Sequence, residues 1–496
     1  MPRILMPVAI AILLFSGAHT VLATDLGVVL TDALKNDPKI GAARAGFLAR
    51  NEIVPQSRAA LLPQISLSGS REDDQRRQNP TGKVFEFYFD QHSWQAELRQ
   101  PILAVTKYYN LRTAEAQRDA ARYDLSSAEQ DLLLRVADAY FNVLRAQDQL
   151  DSTKAEETAV KRQLEQVQQR FDVGLVAITD VLDAQAVHDN SVVRRIQADS
   201  NLDIFFENLH ALAGINYDSI DKLSAKLPVI YPEPRDEDQW VNEALASNTA
   251  IKSAQESLLA AQRDVNARRA DALPTIDAVA TYSEFRTSSA ASFGASDSRA
   301  YVLQARMPVF QGGAIASRVR EGRYRATQSE QLLEDKKRTV SRDTRNLFRS
   351  VLTDVVRVRA GEKSIQSSKA ALDASQTGYE VGTRNIVDVL QAQQRLYQAE
   401  FTYADSRYSY VTDLLRLKQA AGQLTARDLI ELNAFISPTD AVKKQAIGHL
   451  YEEDANAMAP TAVPNDATGP LAVPPAPIPA APAPRGASAT APPAPD

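Results

Sequence analysis

Two long helices dominate what the pattern of hydrophobic residues predicts. From Leu103 to the Val173-Gly174 pair, apolar residues recur at three- and four-residue spacing, and a looser version of this pattern runs from about Ala314 to Gln376. A spacing that continues over so many heptads favours coiled-coil packing over a globular core helix. With a rise of about 1.5 Å per residue, a helix of roughly 65 residues extends about 100 Å, which is far more than the thickness of a bilayer.

The two predicted long helices end in similar short sequences. RFDVGLVAITDVLDAQ, residues 170–185, aligns with GYEVGTRNIVDVLQAQ, residues 378–393, when Gly174 is placed on Gly382. In both copies a Val-Gly pair separates two helical segments, which predicts a tight turn between two helices. The chain is therefore predicted to contain two copies of one large unit.

Other helices are predicted on both sides of the long ones. Each turn is followed by a shorter return helix, Thr179–Ala213 or Ile386–Ala421, and each of these ends at a glycine. Two more helical stretches, Thr24–Ala60 and Gln239–Ala270, stand at corresponding positions of the two copies and end where a proline follows.

Alternating apolar and polar residues predict one strand hairpin in each copy. The hairpins are placed at about residues 64–100 and 275–307, and each is expected to end at a proline, Pro101 or Pro308. On this pattern, side chains of opposite character face opposite sides of a sheet.

Two polar stretches, Arg71–Lys83 and Thr287–Ser298, are predicted to be the loops of these hairpins. The run Val84–Phe89 places several aromatic residues near a strand end. Such a run suits the interfacial girdle of a membrane barrel or the edge of a soluble sheet, and its sequence favours neither.

The chain is predicted to divide into five segments. Residues 1–23 have the basic residue, apolar run and small residues of a secretory signal peptide, whereas a transmembrane anchor would need a longer apolar run. The remaining segments are a first repeat at 24–215, a linker with little regular structure at 216–238, a second repeat at 239–434, and a C-terminal tail at 435–496. The tail is Pro/Ala-rich and is predicted to be disordered from about 455.

Composition excludes several classes of function. The 496 residues are 44% hydrophobic and 24% charged, so the bulk of the chain folds, and the net charge of −6 without basic clusters makes nucleic acid an unsuitable partner. Cysteine is absent, which excludes disulfides, thiol nucleophiles, cysteine-ligated metals and a lipidated N-terminal cysteine. The five histidines are scattered without catalytic or metal-ligand spacing. No enzyme, metal site or cofactor is predicted.

The predicted strands cannot close a barrel within one chain. Membrane barrels need at least about 8 strands, and open strand edges are not tolerated in lipid. Two copies of a four-stranded chain would give about 8 strands with an interior filled by side chains, whereas three copies would give about 12 and leave a pore. The chain is therefore predicted to be a mixed α and β membrane protein that closes its barrel with other copies of itself.

The order of these elements and motifs resembles the TolC family of outer-membrane efflux proteins. The resemblance rests on GLVAITDV (Gly174–Val181), VGTRNIVDVL (Val381–Leu390) and PVFQGG (Pro308–Gly313), and it covers roughly residues 24–434. It is greater to the shared exit ducts of drug pumps and type I secretion than to lipidated members, which agrees with the missing cysteine.

The resemblance implies a homotrimer in the outer membrane of a Gram-negative bacterium, with a large periplasmic portion. A 12-stranded barrel would continue into a 12-helix coiled-coil tunnel, by the pattern of the family. The implied function is the exit duct of tripartite efflux pumps, of type I secretion systems, or of both. Its partners would be a periplasmic adaptor (membrane fusion protein), an inner-membrane transporter and outer-membrane lipid. The alternative is a periplasmic coiled-coil scaffold without a pore.

Four residues are implied by the resemblance to hold the tip of the tunnel closed. Tyr379 and Arg384 match the family's inner-coil members, and Thr179 and Asp180 match their partners. An Arg384–Asp180 link would be a directional, charge-assisted hydrogen bond, stabilising by about 0.2–1 kcal/mol when exposed. A gate held so weakly can be opened by a docking partner.

Asp388 matches the first of two acidic residues that line the family's constriction. Copies of it around an axis would form a negative ring that favours cations. The second acidic position is occupied by Gln391, and Asp183 is the candidate to compensate. The alternative is that Asp180 and Asp388 only cap their helices.

The residues of the two turns are implied to dock the adaptor. They are Val173, Gly174, Leu175, Val381, Gly382 and Thr383.

Overall fold

A computed structural model describes residues 24–78, 82, 84–224, 227–288 and 294–444. The chain divides into two compact units, Met1–Gln445 and Ala446–Asp496, and every described residue belongs to the first. The predicted signal peptide and the predicted disordered tail lie outside the described residues.

Helices make up most of the described chain. In order they are α1 (Leu26–Asn36), α2 (Pro38–Asn51), α3 (Ile53–Ala59), α4 (Val105–Asp172), α5 (Ile178–Ala213), α6 (Glu237–Ser247), α7 (Thr249–Ala270), α8 (Ala314–Glu380), α9 (Ile386–Ala420) and α10 (Ala426–Asn433). The strands are β1 (Gln64–Gln78), β2 (Phe85–Leu103), β3 (Ser219–Leu223), β4 (Thr275–Thr287), β5 (Ala295–Arg306) and β6 (Ile436–Lys443). Among the described residues, no helix combines the length and the apolar character needed to cross a membrane.

The two predicted long helices are present, with 68 residues in α4 and 67 in α8. In α4 many of the residues that carry the predicted spacing are buried, and Leu132, Val143 and Leu150 are fully buried. The spacing therefore marks the packed side of this helix, as expected for an apolar stripe on a long helix.

The helical stretch predicted at Thr24–Ala60 is three helices. The Asp37 carboxylate accepts hydrogen bonds from the backbone N–H groups of Lys39 and Ile40, and Pro38 occupies the first turn of α2. An aspartate cap followed by proline begins a new helix, because proline suits the first turn but cannot continue a preceding helix. Asn248 divides the corresponding stretch in the second half by capping α7.

A four-stranded antiparallel sheet has the strand order β1-β2-β4-β5. The predicted loops were too long, because β1 continues to Gln78 and β5 begins at Ala295. The polar residues there pair in register, and Arg71 and Asp90 form an ion pair of 3.0 Å across the strands. Backbone pairing does not require apolar side chains on either face, so polarity alone misplaced these ends.

The prediction that the first hairpin ends at Pro101 was wrong by two residues. β2 continues to Leu103, and its pairing with β4 shifts register between Pro101 and Leu103. Proline is tolerated in a strand where the ladder is irregular. The aromatic run lies at the beginning of β2, where Val84 and Tyr88 are exposed, and the Phe side chains of the run lie outside the described residues.

The predicted linker and tail each contain one short strand that neither prediction included. β3, inside 216–238, pairs antiparallel with β6, inside 435–496. Ile220 of β3 and Val442 of β6 lie opposite each other and are almost fully buried. Because these short strands are far apart in sequence, neither has a local signal that would reveal its partner.

The largest hydrophobic cluster surrounds this small sheet in the middle of the long helices. It includes Tyr140 and Phe141 of α4, Leu202 of α5 and Val411 of α9. A separate, smaller cluster near the turns includes Val167, Val181 and Val389. The turn end of the helices thus has its own core.

Candidate functional site

The two predicted turns have the same backbone conformation. Gly174 has φ +75° and Gly382 has φ +74°, a left-handed conformation that glycine adopts without strain. In the first turn, the Leu175 N–H donates to the Arg170 carbonyl at 2.9 Å. In the second, the Thr383 N–H donates to the Gly378 carbonyl at 2.8 Å. Both are glycine C-caps that satisfy carbonyls of the preceding helix and reverse the chain.

The residues beside these glycines present apolar side chains to solvent. Val173 is 70% exposed, Leu175 74% and Val381 69%. Large apolar side chains grouped at one end of a helical pair are a typical surface for a protein partner.

The helices that follow the turns begin differently. The Asn385 side chain accepts a hydrogen bond of 2.9 Å from the Asp388 N–H and caps α9, whereas Ala177, the residue before α5, provides no side-chain cap. Asp180 and Asp388 each lie in the first helical turn, and neither is the N-cap residue of its helix. Both carboxylates still lie where the helix dipole favours negative charge.

The structure does not join Arg384 to Asp180 within one chain. Arg384 and Thr179 are exposed, and among the described residues Arg384 and Asp180 form no ion pair with each other. The Arg384 side chain instead lies over Gly378, where an added Cβ would stand 3.0 Å from the Arg384 Cγ. Gly378 therefore leaves room for this side chain beside the turn.

Tyr379 is half-buried and packs against the small cluster at the turn end. Its hydroxyl oxygen is buried and has no hydrogen-bond partner among the described residues. The guanidinium carbon of Arg170 lies 4.7 Å from the centre of the Tyr379 ring, within the range of a cation–π contact. Sequence analysis missed Arg170, although it is the first residue of the duplicated segment.

A groove of about 610 Å³ runs beside this contact between α4, α8 and α9. Its polar lining includes Arg162, Gln163, Arg170, Tyr379 and Gln393. In the described part of the chain, no three His, Asp or Glu side chains lie close enough to hold a metal ion.

The residues considered for the constriction lie on the helices that follow the two turns, α9 and α5. Asp388 is half-exposed in the first turn of α9, and Gln391 is exposed one turn later. Asp183 is exposed on α5. A single chain therefore presents Asp388 without a second acidic residue one turn along the same helix.

The four-stranded sheet has one apolar and one polar face. The apolar face pairs Ile65 with Leu98, Leu67 with Ala96, Ala96 with Tyr282, and Ala280 with Tyr301. The other face pairs Ser66 with Glu97, Glu97 with Thr281, and Thr281 with Ala300. Ile65, Leu67 and Tyr301 are exposed on the apolar face. Such a sheet suits lipid on one side and water on the other.

Comparison with known proteins decides the family. Residues 29–215 and 240–423 match the model of the family described as outer membrane efflux protein. The chain belongs to the outer membrane efflux protein family. The predicted resemblance is thus confirmed, and the two matched segments contain the two turns described above.

Relatives of this outer membrane efflux protein align along nearly their whole length. The chain is 32% identical over 434 residues to the outer membrane protein TolC of Vibrio cholerae serotype O1, which covers 87% of this chain and 98% of that protein. It is 31% identical over 451 residues to the outer membrane protein TolC of Escherichia coli K12, covering 87% and 89%. The solved structure of CusC, at 17% identity, has a TM-score of 0.71 and covers 85% of this chain and 98% of its own, which shows the same fold.

The predicted function and location are confirmed at the level of the family. This outer membrane efflux protein is an exit duct of efflux and type I secretion systems, located in the Gram-negative outer membrane with a periplasmic portion. It works with an adaptor and a transporter. Its relatives are channel proteins, not enzymes, and the alternative prediction of a scaffold without a pore does not fit them.

Proposed function

We propose that three copies of this chain form one duct, with a 12-stranded barrel in the outer membrane and a tunnel of α4, α5, α8 and α9 below it. Each chain would contribute two structural repeats, at about 24–215 and 239–434. The single observation that carries this proposal is the pair of open edges, β1 and β5, on the four-stranded sheet.

Both open edges are long. β1 has 15 residues and β5 has 12. Unpaired backbone groups cost several kcal/mol each in hydrocarbon, roughly, so the edges must pair within the membrane. Pairing of β5 with β1 of the next copy closes a ring, and about 12 strands leave room for a passage that about 8 would not. The exposed apolar face then contacts lipid and the polar face lines the passage.

The turn end forms the gate of the proposed duct. Since Arg384 and Asp180 do not meet within one chain, their link would form between neighbouring copies, with Thr179 and Tyr379 beside it. An exposed pair of this kind contributes about 0.2–1 kcal/mol, which a docking adaptor can overcome. Asp388 from each copy forms the constriction ring and favours cations.

The adaptor would dock on the turns through Val173, Leu175 and Val381. Their exposed side chains supply apolar area, and the glycine turns beside them allow close backbone approach. The docking residues thus include Gly174, Gly382 and Thr383.

The cargo would be drugs or secreted proteins. The chain is 27% identical over 404 residues to the alkaline protease secretion protein AprF of Pseudomonas aeruginosa and 25% identical over 429 residues to the outer membrane efflux protein BepC of Brucella suis. These relatives support both protein secretion and efflux as functions of the proposed duct.

Cysteine cross-linking in outer membranes tests the ring, because the natural chain has no cysteine. β1 and β5 are separated by two strands, so they lie about 14 Å apart within one chain, too far for a disulfide. Cysteines at Leu67 of β1 and at Tyr301 or Leu303 of β5 should therefore join copies only, and the largest covalent product should contain three chains. The matched control places cysteines at the opposed Ala96 and Tyr282, which should cross-link within one chain.

A purified mature chain that is monomeric without detergent and forms no channels in planar bilayers would overturn the proposed duct. If the largest cross-linked product contained two or four chains, the proposed trimer would be wrong, although a duct formed by several copies would still be supported.

A further inference from the structure

We propose that Arg170 is a positioning residue of the gate, which ties the first turn to the second within one protomer by stacking its guanidinium on Tyr379. This inference rests on the proposed function of the turn end as a gate. It assigns a second restraint, different in chemistry and in location from a link between Arg384 and Asp180.

The contact joins the two residues best placed to transmit movement between the turns. The Arg170 carbonyl accepts the N–H of Leu175 and closes the first turn. Gly378, the residue before Tyr379, accepts the N–H groups of Thr383 and Arg384 and closes the second. A contact 4.7 Å long between Arg170 and the Tyr379 ring therefore connects two rigid hydrogen-bonded turns. Neither turn can swing away from the other without breaking it.

The attraction acts through the ring and not through the phenol hydroxyl. Among the described residues, the Tyr379 hydroxyl has no hydrogen-bond partner, and Arg170 takes part in no ion pair but lies over the Tyr379 ring. Both side chains are half-buried, and a partly desolvated cation is attracted more strongly to an aromatic face than a fully hydrated one. Removal of the hydroxyl alone should leave the stacking intact.

The surrounding cluster holds the ring in place for this contact. Tyr379 packs with Leu164 and Phe171 of α4 and Leu396 of α9 against the small core of the turn end. An aromatic ring that is fixed by packing presents its face at a constant distance. Stacking on such a ring therefore costs the Arg170 guanidinium little conformational entropy. Because Tyr379 of α8 is held by packing, its contact with Arg170 restrains the movement of α4.

Single-channel recordings of the full-length protein in planar bilayers test this role. Arg170→Gln should shift the closed-to-open ratio by roughly 2- to 5-fold per protomer, and by about 8- to 125-fold if three contacts break together. Arg170→Lys should retain part of the restraint, because an ammonium also binds an aromatic face. The matched control is Arg162→Gln, which removes a cation from the same groove that stacks on no described ring and should leave gating unchanged.

A double-mutant cycle separates the ring from the hydroxyl. Arg170→Gln should keep its full effect when combined with Tyr379→Phe and should lose it when combined with Tyr379→Leu. Helical melting of each variant, followed by circular dichroism, shows whether the protein is folded. If Tyr379→Leu does not fold, the order wild type, Arg170→Lys, Arg170→Gln still decides the matter.

The outcomes distinguish this inference from the proposed function. Two results would overturn the role of Arg170 and leave the gate. The first is normal gating by Arg170→Gln in a preparation where the wild type forms channels. The second is an effect of Arg170→Gln that is equally large in the Tyr379→Leu background and in the wild-type background. A wild-type protein without channels overturns the gate and this role together. Increased opening by Arg170→Gln, partial restoration by lysine and no effect of Arg162→Gln support the inference.

Discussion

The middle of the molecule and its turn end are built on the same two helices, α4 and α8, yet they are held together differently. In the middle, Tyr140 is fully buried and its hydroxyl donates to the Asp221 carbonyl at 2.7 Å. Arg135 of α4 contacts the buried Asp37 at 2.6 Å. At the turn end, the core is small, and the hydroxyl of Tyr379 has no partner among the described residues.

This difference separates stability from gating. Burial of large side chains, together with bonds such as that from the Tyr140 hydroxyl to the Asp221 carbonyl, fixes where α4 and α8 lie in the middle, because exposing these buried groups would cost free energy. The turn end depends on a few exposed or half-buried contacts that contribute about 1 kcal/mol each. The proposed duct could thus open at its turn end while the rest of the helices stays packed.

The largest effect is expected from Tyr140→Ala in the middle. Loss of this fully buried ring should lower the free energy of unfolding by about 3–5 kcal/mol, because a cavity remains. Denaturant titration followed by circular dichroism measures it. Tyr140→Phe keeps the ring but leaves the Asp221 carbonyl unpaired, so it should cost about 1–3 kcal/mol. If either variant changed the free energy of channel opening more than the free energy of unfolding, the middle of the molecule would take part in gating, and the proposed difference between the two regions would be wrong.

The next effect depends on pH and also lies in the middle. Burial of Asp354, and then the nearby Asp413 carboxylate, raise the Asp354 pKa from 3.8 to about 6. A carboxyl group whose pKa is raised on folding stabilises the fold below about pH 4, and this contribution disappears as pH rises through about 6.

At pH 7.5 ionised Asp354 is therefore destabilising despite its contact of 3.3 Å with Arg357. Asp354→Asn should raise the free energy of unfolding at pH 7.5 by about 1–3 kcal/mol and should have little effect at pH 4. Paired denaturant titrations at the two pH values measure the difference. An equal effect at both would show that the Asp354 pKa is not raised.

A smaller effect distinguishes the two turns from each other. Asn385 caps α9, and Ala177 occupies the same place before α5 without a cap. Asn385→Ala should destabilise the start of α9 by about 1 kcal/mol, and Ala177→Asn should stabilise the start of α5 by a similar amount. Hydrogen exchange of the first-turn amides, including that of Asp388, measures both. Opposite signs are required, and equal signs would reject capping as the cause.

The smallest effect on stability is expected from Arg384→Ser. Loss of the proposed exposed ion pair between copies should change the free energy of unfolding by about 0.2–1 kcal/mol or less, yet the variant should raise single-channel conductance if this link holds the tip closed, as proposed. Arg384→Lys, which keeps the charge, should lie between the two. Unchanged conductance in the serine variant would remove Arg384 from the gate.

Local patterns predicted the long helices, the glycine turns and the alternating strands, because each depends on residues close together in sequence. Non-local pairing was not predictable in the same way. β3 and β6 each have few residues and become strands only because they meet, and the polar ends of β1 and β5 are strands only because a neighbouring strand pairs with them.

The candidate site divides along the same line. Asp180, Arg384 and Asp388 were predicted from motifs shared with the family and remain predictions, whereas the positions of Gly174 and Gly382 followed from the turn chemistry. Arg170 was not found, since nothing in its own neighbourhood indicates an aromatic ring on a helix some two hundred residues later. Its role depends on how α4 and α8 approach each other.

The amino-acid sequence by itself determined three features: two copies of a long helix, a glycine turn at the end of each copy, and strands with one apolar face. It could do so because residue spacing and glycine position act locally. Only the tertiary structure decided that the supposed linker and tail form one small sheet, that Arg384 and Asp180 stay apart within a chain, and that Arg170 lies on Tyr379. These are distances between residues remote in sequence, and they are set by packing of whole helices and strands.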